Sequence, residues 1–430
     1  MTRRIAIVGS GVAGLSAAHH LKGHAHVTLF EQDARLGGHA HTVDITLPTD
    51  LGDVTHGVDT GFLVFNERTY PGLIGLFSEL GVATARSDMS FSAQIPMQGR
   101  ANQMEWGGAD LNSVFAQRMN LFRPKFWGML RDILRFNRVA TELAATGQAD
   151  QLQQPLREFL HNNRFSSAFQ DWYLLPMLGC IWSCPTDQML EFPVATMIRF
   201  CHNHGLIQVN DRPQWWTVEG GSREYVNRIA KHIDVIHTSS PVEAVVRGGP
   251  SAPSATLRVN GESVPFDAII LAGHSDQSLS LLAQPTAEDQ AILGAIRYQD
   301  NEAVLHTDDS VMPRSRRAWS AWNYERASSM GQESTRVCLH YWLNALQPLP
   351  FDQPVIVSLN PLGAVDERKI LGRYAYAHPV FDGPAIRAQA RVSELQGQGG
   401  VWFAGAWMGY GFHEDGFQAG KQAAKGAIAS

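Results

Sequence analysis

The first 31 residues constrain this chain more than any other segment. Residues 4–8 read as a buried parallel strand, Gly9-Ser10-Gly11-Val12-Ala13-Gly14 opens a helix carried by Leu15, Ala18 and Leu21, and a second strand at 26–30 ends on Glu31. Each glycine of this GxGxxG turn has its own mechanical task. Gly9 permits the tight turn, Gly11 lets backbone N–H groups approach a pyrophosphate, and Gly14 lets the helix close on the strand. Val12 and Ala13 then begin a helix whose positive end faces the phosphates. Glu31 lies 22 residues after Gly9, where a carboxylate accepts ribose hydroxyls and disfavours a 2′-phosphate. The unit predicts a Rossmann-type α/β domain for FAD or NAD rather than NADP.

Composition narrows the rest. The 430 residues are 44% hydrophobic and only 18% charged, with 35 basic against 41 acidic side chains. That composition excludes a disordered chain, and a net charge of −6 argues against nucleic acid as a partner, which calls for a positive excess. Four cysteines (Cys180, Cys184, Cys201, Cys338) are too few for a disulfide scaffold and form no CxxC pair. No apolar run reaches the ~18 residues of a spanning helix, and Ile5–Val8 is too short for a signal-peptide core. The expected location is cytoplasmic, with a peripheral position on the inner face of the cytoplasmic membrane as an extension of that reading. No second GxGxxG occurs, so no built-in NADPH site is expected.

The segments that follow separate FAD from NAD. Arg35-Leu36-Gly37-Gly38-His39-Ala40 and Gly57-Val58-Asp59-Thr60-Gly61-Phe62 follow the first unit. Val218-Glu219-Gly220-Gly221-Ser222 and Pro241-Val242-Glu243-Ala244-Val245 lie mid-chain, and Val401-Trp402-Phe403-Ala404-Gly405 and Phe412-His413-Glu414-Asp415-Gly416-Phe417 close it. In this order they resemble the flavin-containing amine oxidase and phytoene desaturase superfamily. The resemblance implies FAD held by Glu31 and Gln32, by Gly37, Gly38 and His39, by Thr60, Gly61 and Phe62, by Val242 and Gly405, and by Asp415, Gly416 and Phe417. Two positions depart from the family pattern. His39 stands where an arginine usually follows the glycine pair, a weaker and pH-dependent phosphate partner, and Ala406 stands where a glutamate usually follows the FAG of the last strand.

The motif positions predict a Rossmann-type FAD-binding domain built from 1–66, 215–285 and 395–430. An interleaved α+β substrate domain, a mixed sheet plus helices, is expected from 67–214 and 286–394. Strand-like runs at 301–307, 336–342 and 354–359 suggest its sheet, which would bear Trp319, Trp322, Tyr341 and Trp342.

For chemistry, the related amine oxidases commonly place a lysine near the flavin and an aromatic pair around the amine. Only six of the 35 basic residues are lysine (Lys22, Lys125, Lys231, Lys369, Lys421, Lys425), and none falls on a central strand of the expected sheet. His413 falls near one cage aromatic. With Tyr410 and Glu414 it forms the candidate catalytic group, an imidazole able to relay a proton near neutral pH; packing against the flavin edge is the equal alternative. His340 reads as a satisfied sheet residue. Neither His202/His204 nor Cys180/Cys184 has metal-ligand spacing, and no metal is expected.

A narrower resemblance rests on Val58–Asn66, Ser87–Ser92, Trp319–Tyr324 and Gly409–Gly416. It is to a bacterial branch similar to the oxidase-like domain joined to plant cyclopropane fatty-acid synthases, whose members are associated with methylated, cyclopropane and furan fatty acids. It implies oxidation or desaturation of a modified acyl chain in a membrane lipid, with oxygen or quinone as electron acceptor. An amine oxidase acting on a small amine and a flavin-bound accessory subunit without turnover remain as alternatives. The apolar run Trp172–Trp182 reads as a buried helix or as the wall of an acyl tunnel. Residues 118–138 carry Arg118, Arg123, Lys125, Arg131, Arg135 and Arg138 against one acid, Asp132. A helix beginning at Pro124 would bury Phe126, Met129, Leu130, Ile133 and Phe136 and turn Arg131, Arg135 and Arg138 outward. That surface suits either solvent or an anionic membrane.

Overall fold

The computed structural model describes residues 2–97, 103–147, 154–208, 212–249, 255–327 and 337–430. Its centre is a five-stranded parallel sheet in the order Val235–His237, Ala25–Phe30, Arg3–Val8, Ala268–Leu271, Val401–Phe403. Ile5, Ala6 and Ile7 are fully buried, as a strand covered on both faces requires. Helix Val12–Leu21 covers one face, and the last helix, His413–Ala429, lies against it. Small residues make that second contact. A Cβ on Gly420 would run into the Ala13 carbonyl, and one on Gly416 would lie 2.6 Å from Val12 Cγ1. The two helices therefore meet at backbone distance through Ala419, Ala423, Ala424 and Ala427, all buried.

The second large sheet has seven strands: Ile370–Val380, Arg297–His306, Ile356–Leu359, Cys338–Trp342, Trp322–Glu325, Phe91–Pro96 and Gln103–Gly107. It is mixed, because Trp322–Glu325 runs parallel to Phe91–Pro96 while the other pairs are antiparallel. The parallel sheet draws its strands from 1–66, 215–285 and 395–430, and the mixed sheet from 67–214 and 286–394. A smaller sheet crosses that division, pairing Trp215–Val218 with both Phe65–Asn66 and Thr84–Ser87.

The strands Glu262–Phe266 and Ala268–Leu271 are divided at Asp267. The Asp267 carboxylate accepts the Arg4 N–H (2.8 Å), pinning the bend to the central strand. Asp59 ties the hairpin Thr42–Thr49/Gly52–Asp59 to the helix Arg223–Ala230. Its buried carboxylate accepts the Ser222 N–H and hydroxyl (2.7 Å), the Thr42 hydroxyl (2.6 Å) and the Gln347 amide (3.0 Å). No helix among the described residues is long and apolar enough to cross a membrane.

The basic segment folds as a 3-10 turn, Arg118–Phe122, followed by a helix, Pro124–Ala145. Phe126, Met129 and Phe136 are buried as the periodicity requires. Arg135 corrects the expected outward triad: its guanidinium carbon lies 4.1 Å over the Phe165 ring, its Nη2 donates to the Arg164 carbonyl (3.2 Å), and it pairs with Asp132 (3.5 Å).

Candidate active site

One cavity of about 960 Å³ runs from the first glycine turn to the mixed sheet. At the turn, Gly9 has φ +99°, and a Cβ there would press on the Ala272 carbonyl at 3.1 Å. Nothing lies within 4 Å of the Cβ position of Gly11, so the backbone there is open to a bulky anion. Gly14 does not line the cavity; a Cβ on it would collide with the Gly9 carbonyl, which is the close helix–strand contact the motif predicts. Gly9, Gly11, Val12, Ala13, Glu31, Gln32 and Val242 all line the cavity. Glu31 is buried and already oriented: one carboxylate oxygen accepts the Ser10 N–H (2.8 Å) and hydroxyl (2.6 Å), the other the Asp33 N–H (3.0 Å). Remaining lone pairs face the cavity as acceptors.

Gly38, His39, Gly61, Phe62 and Gly405 also line it, but Gly37 and Thr60 do not. Gly37 donates its N–H to the Ser10 carbonyl and hydroxyl (both 3.1 Å), so it shapes the loop. The Thr60 hydroxyl is spent within the protein, on the His41 carbonyl (3.2 Å) and the Tyr376 hydroxyl (2.7 Å). The expected pH-dependent charge on His39 is also corrected. Burial first, and then the neighbouring His378, His274 and His413 rings and the Arg35 guanidinium, hold its pKa well below the ordinary value, so the ring is neutral. Its Nε2 is buried without a partner, as is Nη1 of Arg35, which lines the same cavity two residues ahead of the glycine pair. Arg35 thus brings a cation to the glycine-turn end of the cavity. An orphan guanidinium donor and an unpartnered imidazole nitrogen beside an open glycine turn fit a dinucleotide phosphate.

Three of these neighbours were invisible in the sequence. His274 stacks on Tyr298 (4.3 Å between centroids, 9°), and His378 lies 5.4 Å and Tyr376 4.9 Å from the His39 ring. Burial pushes His378 down to about 4. Its Nδ1 accepts from the Asn301 amide (2.8 Å), which places its proton on Nε2.

The candidate catalytic trio separates. His413 lines the cavity at the start of the last helix, its ring stacked on Phe62 at 3.6 Å and 13°. Its Nε2 lies 3.2 Å from the Tyr225 hydroxyl. Burial pushes Tyr225 up and His413 down to about 3. With the phenol donating, the imidazole is neutral and keeps its proton on Nδ1, and burial disfavours its cationic form near neutral pH. Tyr410 lines the cavity, and its carbonyl accepts the Trp182 indole N–H (3.3 Å). Glu414 does not reach the cavity. Its carboxylate accepts the N–H groups of Gly72 and Leu73 (both 2.9 Å), at the partly buried start of helix Pro71–Leu80. Asp415, Gly416 and Phe417 likewise sit behind the wall. Asp415 accepts the Phe412 N–H (2.9 Å) and is pushed up to about 6 by burial, Gly416 packs on Val12, and the Phe417 carbonyl accepts the Ser16 hydroxyl (2.7 Å).

The far wall is apolar. Cys180, Ile181 and Trp182 come from helix Leu175–Trp182, which follows a π-helical turn at Gln170–Leu174, a helix irregularity frequent at functional sites. Phe200, Trp322 and Tyr341 add to it, with Trp322 and Tyr341 edge to face at 5.0 Å, and Ser183 and His204 are uncharged polar neighbours in the same lining. Trp319 and Trp342 pack on each other outside the cavity. The formally charged lining residues are Glu31, Asp33 and Arg35 at the glycine-turn end and Asp300 near His274; no lysine is among the described lining residues.

Within the mixed sheet, Glu325, Cys338 and His340 are the one group among the described residues whose ligand atoms all lie within 4.8 Å. Hydrogen bonds already occupy it. His306 Nδ1 accepts the Asp308 N–H (3.0 Å), leaving His306 Nε2–H to donate to Ser358 Oγ (2.7 Å). Ser358 then donates to His340 Nδ1 (2.7 Å), and His340 Nε2–H to Glu325 (3.1 Å). His204 donates Nδ1–H to the Phe200 carbonyl (3.0 Å). All four cysteines are free and buried.

A family model for flavin containing amine oxidoreductases matches residues 12–305. Among solved structures the chain is similar to putrescine oxidase bound to putrescine, at 16% identity over 100% of both chains with a TM-score of 0.70. It is also similar to cyclohexylamine oxidase from Brevibacterium oxydans IH-35A, at 16% identity over 100% of this chain and 99% of that one, TM-score 0.69. A CLA-producing fatty acid isomerase from P. acnes matches at 15% identity over 98% of this chain and 97% of that one, TM-score 0.67. No curated protein matches it in sequence. At these identities the structural likeness concerns the fold.

Proposed function

The chain belongs to the flavin-containing amine oxidoreductases and is an FAD-dependent oxidoreductase; from that premise we propose that it oxidises or desaturates a modified fatty-acyl chain of a membrane lipid. Gly9 to Ala13 and the helix end behind them would hold the pyrophosphate, Glu31 the ribose, and Arg35 and His39 would supply further donors. Bound FAD supplies the two-electron acceptor for a hydride leaving a carbon–hydrogen bond. The chain's own residues orient the substrate and keep water out.

The observation that carries the substrate class is the far wall. Cys180, Ile181, Trp182, Phe200, Trp322 and Tyr341 offer no carboxylate to an ammonium group. His413, held neutral against Phe62 and Tyr225, adds no charge to the wall. An apolar chain is stabilised there by burial, at about 0.8 kcal/mol per CH₂, whereas a protonated amine would be desolvated without a partner. The fold itself accommodates both chemistries, since two of the similar structures are amine oxidases and one is a fatty acid isomerase.

The test is anaerobic mixing of the purified holoprotein with phospholipids carrying unsaturated, methylated or cyclopropane acyl chains, in detergent, and separately with putrescine and cyclohexylamine. Loss of the oxidised flavin's visible absorption with lipid, and not with amines, supports the reading. Bleaching by amines alone overturns it in favour of an amine oxidase, and a flavin that stays oxidised with every compound points to an accessory role.

A further inference from the structure

We infer that the segment 111–138 is a docking surface for an anionic phospholipid bilayer, a reading that deepens the lipid-substrate proposal and rests on it for its purpose but not for its evidence. Nine large hydrophobic residues are exposed among the described residues, and six of them lie within this one segment: Leu111, Met119, Leu121, Phe122, Trp127 and Leu134. Phe122 is 78% and Leu111 77% exposed, so they protrude rather than fill gaps. The Trp127 indole N–H donates to the Leu121 carbonyl (2.9 Å), and its ring lies 5.4 Å from Phe115, which fixes the 3-10 turn against the helix and makes one surface of both.

Charge selects the occupant. On the helix, Trp127, Arg131, Leu134 and Arg138 follow one another at intervals of four, three and four residues, so one exposed stripe alternates apolar and cationic side chains. Arg118 and Lys125 add two exposed cations near its start. Arg118 donates to the Phe115 carbonyl (3.0 Å) and the Asn112 amide oxygen (3.2 Å), partners that leave its charge uncompensated. The single acid of the segment, Asp132, is buried, sharing itself between Arg135 (3.5 Å) and, at 3.9 Å, Arg131. Protruding aromatic and aliphatic tips among cations, with no exposed acid between 111 and 138 and Asp110, the N-cap of the Leu111–Val114 turn, at the edge, match an interface where apolar tips enter the acyl boundary and cations meet lipid phosphates. The other side of the helix buries Phe136 and Ala140 in one cluster with Phe200, which lines the cavity, so docking would bring the bilayer to the element beside the apolar wall.

Sedimentation of the holoprotein with vesicles tests this. Vesicles containing phosphatidylglycerol should carry the protein down at low salt, and pure phosphatidylcholine vesicles should carry far less. Each cation near an anionic surface changes partitioning about fivefold, so R131Q/R138Q should bind the anionic vesicles at least tenfold more weakly. A second variant, F122S/L134S, should do the same. Both should keep the wild-type flavin content, because these side chains are solvent-exposed. Equal binding to the two vesicle types, or unchanged binding of both variants, overturns the inference. So does concentration-dependent self-association lost in F122S/L134S without any vesicle binding, which would assign the surface to a protein contact. The two proposals fail separately. Lipid turnover in detergent without vesicle binding removes only the docking surface, and vesicle binding with turnover of amines alone removes only the lipid substrate.

Discussion

Replacing Glu414 tests where the boundary of the active site runs. The motif placed this carboxylate beside His413 as a catalytic candidate, whereas its two oxygens accept the Gly72 and Leu73 N–H groups at 2.9 Å each and the Gln418 amide at 2.7 Å. Glu414→Ala removes both backbone bonds at the start of helix Pro71–Leu80, together with a negative charge near its positive end. Hydrogen bonds to a charged group contribute about 1.5–3 kcal/mol and the helix-end charge about 0.3–1. The site is partly exposed, so water recovers some of this and a net loss of about 2–3 kcal/mol is expected, above the about 0.5–2 of an ordinary helix cap because two backbone donors are lost. At about 2.1 cal/mol/K per residue, the unfolding entropy of 430 residues is about 0.9 kcal/mol/K, so the melting temperature should fall by about 2–3 °C. Glu414→Gln should recover less than half of this, because its amide nitrogen must face one of the two backbone donors. Flavin-fluorescence melting and turnover per bound flavin are the paired measurements. Both variants should melt earlier and turn over at near the wild-type rate below the transition. A wild-type melting point with turnover lost in both would refute the assignment and return Glu414 to the chemistry.

Acid should destabilise the protein through its buried histidines. His204 and His306 are pushed down to about 4 and His413 to about 3, all by burial, so below 6.5 the unfolded chain binds protons that the folded one refuses. Their contribution is whole above pH 6.5 and is lost as pH falls towards 4. At pH 5.5 each costs about 1.4 kcal/mol at most, about 4 together, while Asp415, held up at about 6, returns about 1. Thermal unfolding at pH 5.5 against pH 7.5 should show a net loss of about 3 kcal/mol or more, since His378 is held down by burial in the same way; a flat profile would contradict the burial of these rings. His413→Phe should preserve the stack on Phe62 and leave the pH dependence of turnover between 6 and 8 unchanged. A wild-type limb in that range which the variant abolishes would show that His413 does titrate. Gly420→Val should cost more than about 3 kcal/mol or prevent flavin loading, since the added side chain meets the Ala13 backbone; near-normal expression of holoprotein would contradict the backbone contact between the two helices. Glu31→Ala should lower flavin retention on dilution, read by gel filtration, because both the ribose acceptor and the anchor of the Ser10 turn are lost.

The glycine turn, its two strands and Glu31 were readable in the sequence because that unit is local: about 30 consecutive residues contain every steric reason for their own shape. The amphipathic helix from Pro124 was readable for the same reason, as were three of the seven strands of the mixed sheet from their separate apolar runs. Side-chain destinations were not. Glu414 follows His413 in the chain yet turns to a helix 342 positions earlier, because consecutive helical residues point about 100° apart. Arg135 shares its helix with Arg131 and Arg138 but meets Phe165, which no periodicity announces. The neutrality of His39 comes from burial beside His274 and His378, residues brought from two distant strand ends. Sequence by itself determined the cofactor fold and the positions that could approach phosphate, since these follow from backbone sterics. Only the tertiary structure decided which side chains line the cavity, which are charged there, and that its far wall is apolar, because burial and partner choice are properties of the packed chain.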